Sequence, residues 1–339
     1  MNVTIGIPTI NSSNYIFSSL VRIKNEIAAV PENYICRLVV CVNGSQDEGK
    51  TRIEIERFKF NTSIPLDIIE EGKAGKNNAL NCIVSHARQQ HRCDIIYFFD
   101  DDVAILDGSL GVNLTKIAEH EFHYGLPVLV GSSMLGIQRS LRHFVRIRHS
   151  LIRGILSWSL HRLFIMPYLL GAEKPKFCEG LSLGTFLKYM PAYPDDETGI
   201  TDDTFLSNFF ACQGMKEYLN NGIPPIIKPP NSLAYVEITH NYREWRRQQL
   251  RIHAGIRRSF NYFHDRDKKY LEEFFQWPYA FNSESRVWPK GMAKTKWLLY
   301  LIYRFLHAFN ESSAHRMVKS GMVPDWCAAV STKHWMNES

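Results

Sequence analysis

Three absences bound this 339-residue chain. Its seven cysteines (Cys36, Cys41, Cys82, Cys93, Cys178, Cys212 and Cys327) include no Cys-x-x-Cys pair and no paired spacing. Most lie inside apolar runs, where cysteine behaves as a small core residue, so the pattern suits a reducing compartment and not a disulfide framework. No Gly-x-Gly-x-x-Gly and no Gly-x4-Gly-Lys-Ser/Thr follows a strand-like run, which argues against an ordinary dinucleotide site and against a P-loop. No apolar stretch reaches the roughly 20 residues that a membrane-crossing helix needs. With a mean hydropathy of −0.22, a multi-span membrane protein is excluded.

What is present is 45% hydrophobic and 12% aromatic content, enough for a sizeable core and too much for a disordered tail. The length fits two domains, or one α/β domain with an appendage. The first strand-like run begins at Val3, which leaves no space for the charged and apolar regions of a signal peptide, so a cytoplasmic location is expected. The formal net charge of +6 is modest for the size, and its meaning depends on where the charge is concentrated.

Short apolar runs alternate with helical periodicity through the first hundred residues. Val3–Ile7 is a run that stops at Pro8, and Phe17, Leu20, Val21, Ile27 and Ala28 follow at helical spacing. Arg37–Val42 is a strand ended by the turn Asn43-Gly44-Ser45. Ile68-Ile69 is a weaker strand, after which Ala79, Leu80, Ile83, Val84 and Ala87 mark a helix. Ile95–Phe99 runs directly into Asp100-Asp101-Asp102, and Val128–Val130 is closed by Gly131-Ser132-Ser133. Strands apolar on both faces and joined by helices predict an α/β fold with a mostly parallel sheet covered on both sides. Ligands of such sheets bind outside the carboxyl ends of the strands, here Pro8–Asn11, Asn43–Asp47 and Asp100–Asp102.

Three consecutive carboxylates at the end of a buried strand crowd like charges, each of which must be solvated or paired. Side chains alternate along extended chain, so Asp100 and Asp102 are expected on one side and Asp101 on the other. Two carboxylates facing a crevice make a hard-oxygen site for Mg²⁺ or Mn²⁺, completed by water and phosphate. The alternative is a solvated turn with helix-capping Asp. A second acidic pair, Thr201-Asp202-Asp203, precedes Phe205, Leu206, Phe209 and Phe210 at helical spacing and reads as a helix cap. A general base at the same terminus is compatible with that cap, because a helix amino end favours an ionised carboxylate.

Six segments in order resemble family 2 glycosyltransferases. They are Pro8-Thr9-Ile10-Asn11 with Tyr15-Ile16, Asn43–Asp47, Gly75-Lys76-Asn77-Asn78-Ala79-Leu80-Asn81, Asp100-Asp101-Asp102, Thr201-Asp202-Asp203, and Gln248-Gln249-Leu250-Arg251-Ile252 with Gly255 beyond. The third is similar to the family's Gly-Lys-x-x-Ala-Leu-Asn, the fourth to its Asp-x-Asp metal motif, the fifth to its Thr-Glu-Asp and the last to its Gln-x-x-Arg-Trp. Ile252 stands where the family has Trp, which speaks against a processive polymer synthase. Val42 stands where the family often has an acidic residue near the donor base.

The resemblance implies a GT-A fold, Rossmann-like with a mixed, mostly parallel sheet, and inverting transfer from a nucleotide-diphosphate sugar, with a UDP-sugar favoured. It implies Asp102, helped by Asp100, as ligands of Mg²⁺ or Mn²⁺. Pro8, Thr9, Asn11, Asn43, Asp100 and Asp101 would line the donor site, with Thr9, Asn11 and Asn43 on base and ribose and Lys76 reaching a phosphate. Asp203, beside Asp202, would take the proton of an acceptor hydroxyl on a saccharide or lipid-linked acceptor. Arg251 and Gln248 would steady the departing diphosphate, since arginine offers planar, bidentate contacts to phosphate. Cys178–Ser182 would form part of the acceptor wall, with Glu179 a lesser alternative base. The domains implied are a catalytic unit over 1–240 and a helical region over 241–339 that carries the Gln-x-x-Arg segment. Within the first, 1–102 would be the nucleotide-binding half, 139–172 a basic apolar insertion and 173–240 the acceptor side.

Arg139, Arg142, Arg146, Arg148, Arg153 and Arg162 lie within residues 139–172, which contain no Asp or Glu and a crowded run of apolar residues from Leu151. Such a segment suits an interfacial helix on an anionic leaflet, giving peripheral membrane association on the cytosolic face. The alternative is a basic helix packed on the catalytic domain. Trp297–Phe309 is a second apolar helix, too short to cross a bilayer, that either extends the same membrane face or packs on the protein. Arg243, Arg246, Arg247, Arg251, Arg257 and Arg258 form a second basic cluster with Tyr242 and Trp245 interleaved. Nucleic-acid binding uses the same residues, but the cluster coincides with the leaving-group segment, so diphosphate and not nucleic acid is the expected partner. Two other classes compete: a nucleotidyltransferase of related fold, whose usual Gly-rich basic loop after the first strand is missing here, and a non-catalytic basic membrane adaptor.

Overall fold

The computed structural model describes residues 1–90, 93–165, 178, 180–263, 267, 271 and 294–323. Strands and helices alternate as the apolar runs predict: β1 (Asn2–Thr9), α1 (Ile16–Ala28), β2 (Ile35–Asn43), α2 (Lys50–Phe60), β3 (Leu66–Glu71), α3 (Lys76–Gln90) and β4 (Ile95–Phe99). Then follow β5 (Ala104–Ile105), α4 (Ser109–Tyr124), β6 (Leu129–Gly131), β7 (Ser133–Gly136), α5 (Leu141–Arg148) and α6 (Leu151–Phe164). The remaining elements are β8 (Ser182–Phe186), α7 (Asp202–Asn221), β9 (Ile226–Ile227), β10 (Leu233–Val236), α8 (Tyr242–Tyr262) and α9 (Lys294–Lys319).

Seven strands form the main sheet in the order β3-β2-β1-β4-β8-β6-β9. Only β8 runs against its neighbours, antiparallel to both β4 and β6, so the sheet is mixed and mostly parallel. The period of two along each strand divides the core between its faces. Leu38 and Val40 of β2 and Ile95, Tyr97 and Phe99 of β4 meet α1, α2 and α4 on one face. Val39, Cys41, Ile96 and Phe98 meet α3 and α7 on the other.

Three local readings change. β1 does not stop at Pro8 but pairs with β2 through Thr9. Its ladder with β4 has ended at Gly6, so a residue without an N–H sits where only one neighbouring strand remains. Helix α2 escapes the apolar periodicity because only Thr51, Ile55 and Phe58 of its charged sequence are buried. Gly131-Ser132-Ser133 closes β6 but opens no loop; the chain passes there directly from the main sheet into a second sheet, β5-β10-β7. The joint is a buried hydroxyl network, with Ser132 Oγ 2.8 Å from both Ser182 and Ser232. Asn113 donates to Ser132 at 3.1 Å and to the Tyr97 hydroxyl at 2.6 Å.

Residues 139–165 of the basic insertion fold as the helical hairpin α5–α6, in which Gly154 lets α6 approach Val145 closely. The rest of that segment lies outside the described residues. The apolar run Trp297–Phe309 is the middle of α9. Leu163, Phe164 and Ile165 at the end of α6 form one buried cluster with Trp245 of α8 and Tyr303 of α9, and Phe164 stacks on Trp245 at 4.4 Å. Three arginines of the second cluster take part in the packing of α8 against its neighbours. Arg257 pairs with Glu311 at 3.0 Å, Arg258 donates to the Met322 carbonyl, and Arg246 lies over the Phe309 ring. Among the described residues no helix is long and apolar enough to cross a membrane.

Gly184 of β8 has no room for a side chain: a Cβ would meet the Tyr97 ring at 2.5 Å and the Ile96 carbonyl at 2.7 Å. Gly184→Ala is expected to cost about 1–3 kcal/mol, read as a lowered urea midpoint at unchanged slope.

Candidate active site

The carboxyl ends of β1, β2 and β4 gather at one edge of the sheet, and a buried lysine stands at their centre. Lys76 Nζ lies 2.6 Å from Asp100 and 3.0 Å from Asp202, with its side chain only 15% exposed. Burial alone would pull the ammonium's pKa down, but Asp100 and Asp202, with Asp203 behind them, hold it well above the ordinary lysine range. Sequence distinguishes a surface lysine from a phosphate ligand poorly; here the side chain is neither exposed nor idle.

Lys76 opens α3, and the start of that helix is held from residues 193–200. Asp196 accepts from the backbone N–H of Asn77 at 3.1 Å and of Asn78 at 2.8 Å, a carboxylate capping a helix amino end. Gly75 has φ +143°, and a Cβ there would fall on the Asp196 carboxylate. Asn77 donates to the Ile200 carbonyl at 3.1 Å, and Asn81 exchanges two hydrogen bonds with the Tyr193 backbone at 2.8 and 2.9 Å. The two outer asparagines of the Gly75–Asn81 segment therefore fasten residues 193–200 to α3. Neither Asp196 nor Tyr193 stands out in the sequence, because the signal for each is a distant partner.

Asp202 and Asp203 occupy the first turn of α7. Thr201 sits at the N-cap position without a side-chain cap bond and packs instead against Gly255 of α8, where a Cβ would meet its Cγ2 at 2.5 Å. Asp202 is 8% exposed, and burial pushes its carboxyl up to about 6 against the pull of Lys76. Asp203 is half-buried and accepts from the Gly180 N–H at 2.8 Å and the Thr204 N–H at 2.7 Å. Tyr193 is buried between Phe98 and Phe205. Burial, then the charges of Asp202, Asp203 and Asp100, drive its hydroxyl pKa up. Among the described residues that hydroxyl has no hydrogen-bond partner.

The aspartate triplet departs from the extended alternation expected of it. The chain turns after β4, and Asp100 bonds the Leu181 backbone in both directions, at 2.9 and 3.1 Å. Asp101 is a correction: it is 7% exposed and accepts from the Thr9 hydroxyl at 2.7 Å, from Ser12 and from Tyr15 at 3.2 Å. It braces the β1 loop from within and faces no donor, and the Thr9 hydroxyl is committed to the same task. Asp102 is half-exposed and, like Asp101, acts on Tyr15, whose hydroxyl pKa is raised by burial first and then by these two charges. Pro8 is buried at the end of β1. Asn11, at φ +50°, ties its loop to the next: its N–H donates to Ser45 at 3.1 Å and its Oδ1 accepts from the Gln46 N–H at 2.7 Å. Asn43 is buried, donates to the Gly75 carbonyl and leaves its Oδ1 without a partner among the described residues.

Among the described residues no group of three or more His, Cys, Asp or Glu forms a ready metal cage. Asp100 and Asp102 supply hard oxygen donors only, the set that Mg²⁺ or Mn²⁺ takes when water and phosphate complete its shell. Asp100 already holds one cation, the Lys76 ammonium, so the place suits positive charge. Gln248 and Arg251 are half-buried on α8. Arg251 lies one helical turn before Gly255 and so on the face of α8 that meets Thr201. Glu179 lies outside the described residues.

A carboxyl whose folded value of about 6 exceeds its ordinary 3.8 stabilises the fold fully below the lower value and loses that contribution as pH rises through the higher. The native chain should therefore lose stability relative to Asp202→Asn across that window, by at most about 3 kcal/mol. Urea midpoints of both proteins with divalent metal chelated check this, and parallel pH profiles would refute it.

Residues 4–171 match the family described as Glycosyl transferase family 2. No curated protein matches the chain. Among solved structures, the mannosyltransferase PcManGT from Pyrobaculum calidifontis, in complex with GDP-Man and Mn²⁺, superposes with a TM-score of 0.55 at 16% identity, over 94% of this chain and 86% of that one. TarS of S. aureus gives a TM-score of 0.48 at 15% identity, over 94% of this chain and 55% of that one. At these identities the likeness to PcManGT is one of fold, and the mixed, mostly parallel sheet flanked by helices is the GT-A fold. Through residues 4–171 the chain belongs to glycosyl transferase family 2.

Proposed function

We propose that the protein is an inverting, metal-dependent glycosyltransferase that moves a sugar from a nucleotide-diphosphate sugar to the hydroxyl of a saccharide or lipid-linked acceptor. The transfer takes place at the cytosolic face of a membrane, and a UDP-sugar is the favoured donor. The observation that carries the reading is the Asp100–Lys76–Asp202 array, with Asp203 beside it, at the strand-end edge where α/β sheets bind ligands. Within it, Asp102 and Asp100 would hold Mg²⁺ or Mn²⁺. The metal, when bound, neutralises charge on the diphosphate leaving group.

The acceptor oxygen attacks the anomeric carbon from the face opposite the diphosphate. As the new C–O bond forms, the bond from that carbon to the diphosphate oxygen breaks and the diphosphate leaves with the electron pair. Asp203 accepts the hydroxyl proton. It suits that task better than Asp202 because it is half-exposed and held by backbone donors, whereas Asp202 is buried and shared with Lys76. Asn11 and Asn43, where two strand-end loops meet, contact the nucleoside, and the unpaired Asn43 Oδ1 offers an acceptor there. Arg251 and Gln248 steady the departing diphosphate from α8.

Asp203→Asn should reduce sugar transfer by about 10²–10⁴-fold while donor binding, followed by thermal shift with nucleotide sugars and Mn²⁺, persists; undiminished transfer refutes the choice of base. Arg251→Ala should lower turnover with donor binding retained, and unchanged turnover would remove it from the leaving-group role. Nucleotidyl transfer in place of sugar transfer would assign the site to the competing class.

A further inference from the structure

The helices α6 and α9 touch through their inner faces and each turns an apolar face outward. On α6, Leu151, Ile152, Ile155 and Leu156 are exposed at helical spacing, Ile152 by 81%, while Gly154, Ser157 and His161 face inward. On α9, Leu298, Leu301, Ile302 and Phe305 do the same, Phe305 by 74%, while Tyr303, His307 and Asn310 face inward. Besides the buried Leu163, Phe164 and Tyr303, the two neighbouring helices leave these eight Leu, Ile and Phe side chains in solvent, more than a surface helix usually exposes.

The charge around these faces has one sign. From Arg139 to Ile165, and again from Lys294 to Asn310, there is no Asp or Glu. Arg142, Arg146 and Arg153 are exposed beside the α6 face. A second copy of the chain docked here by two-fold symmetry would set these arginines against their own equivalents. A leaflet of anionic phospholipid supplies both complements at once, acyl chains for the apolar faces and negative headgroups for the arginines.

We infer that the α6–α9 face is a docking surface for anionic phospholipid bilayers, in which two helices from distant parts of the chain lie on one leaflet. This deepens the membrane-surface reading of the proposed function. It takes up the expectation that Trp297–Phe309 extends the same membrane face, because half of the exposed apolar residues come from α9. Behind the exposed face, Phe164 stacks on Trp245 of α8, the helix that carries Arg251, so docking would fix α8 relative to the leaflet.

The test is co-sedimentation of the full-length chain with vesicles of phosphatidylcholine, with and without phosphatidylserine. The chain should pellet with the anionic vesicles and remain in solution with the neutral ones. Ile152→Asp and Phe305→Asp should each weaken binding about tenfold or more, and raised salt should weaken it further. Arg142→Gln with Arg153→Gln, which leaves the apolar faces intact, should also weaken binding and flatten its salt dependence. Thermal melts of all variants confirm folding. Equal pelleting of native chain and Asp variants, or none by the native chain, overturns the proposal. So does a lipid-free dimer that the same variants dissociate. Hydrolysis of nucleotide sugar in the absence of lipid should be unchanged in these variants, so failure of the docking surface and failure of the sugar-transfer reading give different results.

Discussion

A buried ammonium held between two carboxylates from opposite halves of the chain governs the architecture of this protein. Lys76 lies at the start of α3, Asp100 at the end of β4 and Asp202 at the start of α7. None of the three tolerates burial alone, because an unpaired charge away from water is among the costliest defects a fold can carry. Each element end must therefore be placed to within an ångström or so. The supporting bonds do this: Asp196 on the α3 amino end, Asn77 on Ile200, Asn81 on Tyr193 and Leu181 on Asp100. The strand ends of the first hundred residues and the segment 181–202 are thus joined by one ion triplet and a small set of backbone bonds.

The parts of this arrangement that depend on local pattern are readable from the residues. β2 and β4 are apolar on both faces because helices cover both faces, and their runs show it without ambiguity. The acidic triplet marks the strand end where the site lies. What the residues alone do not show is partnership. Nothing near Lys76 in sequence reveals that its carboxylates come from β4 and α7. Side-chain alternation holds only in extended chain, and the turn after β4 sends Asp101 into the β1 loop. The arginines of α8 advertise positive charge but not the Glu311, Met322 and Phe309 that absorb three of them. Helix α2 is silent for a different reason: its buried stripe of Thr51, Ile55 and Phe58 includes a threonine, while the apolar Ile53 and Phe60 lie off it, exposed.

The C-terminal helices carry the same lesson to a larger scale. Trp245, Phe164 and Tyr303 come from three elements far apart in sequence, yet they form one cluster that binds α6 and α9 to the helix of the Gln-x-x-Arg segment. Apolar content in 139–172 and in 297–309 is plain in the sequence, but the contact that joins the two is not. In the fold they are two halves of one surface, attached to the catalytic unit by a shared aromatic stack.

The reversed direction of β8 bears on how such a protein can diversify. Because β8 runs antiparallel to β4, its first residues emerge beside Asp100, with Ser182 opposite Phe99. The chain between β7 and β8 thus delivers its last residues to the carboxylates whatever path it takes beforehand. The hairpin α5–α6 can change its outward residues without shifting a register in the main sheet, because it is fastened to α8 and α9 and not to a strand of that sheet. Sequence drift on that outer surface is thereby separated from the strand ends that carry the carboxylates.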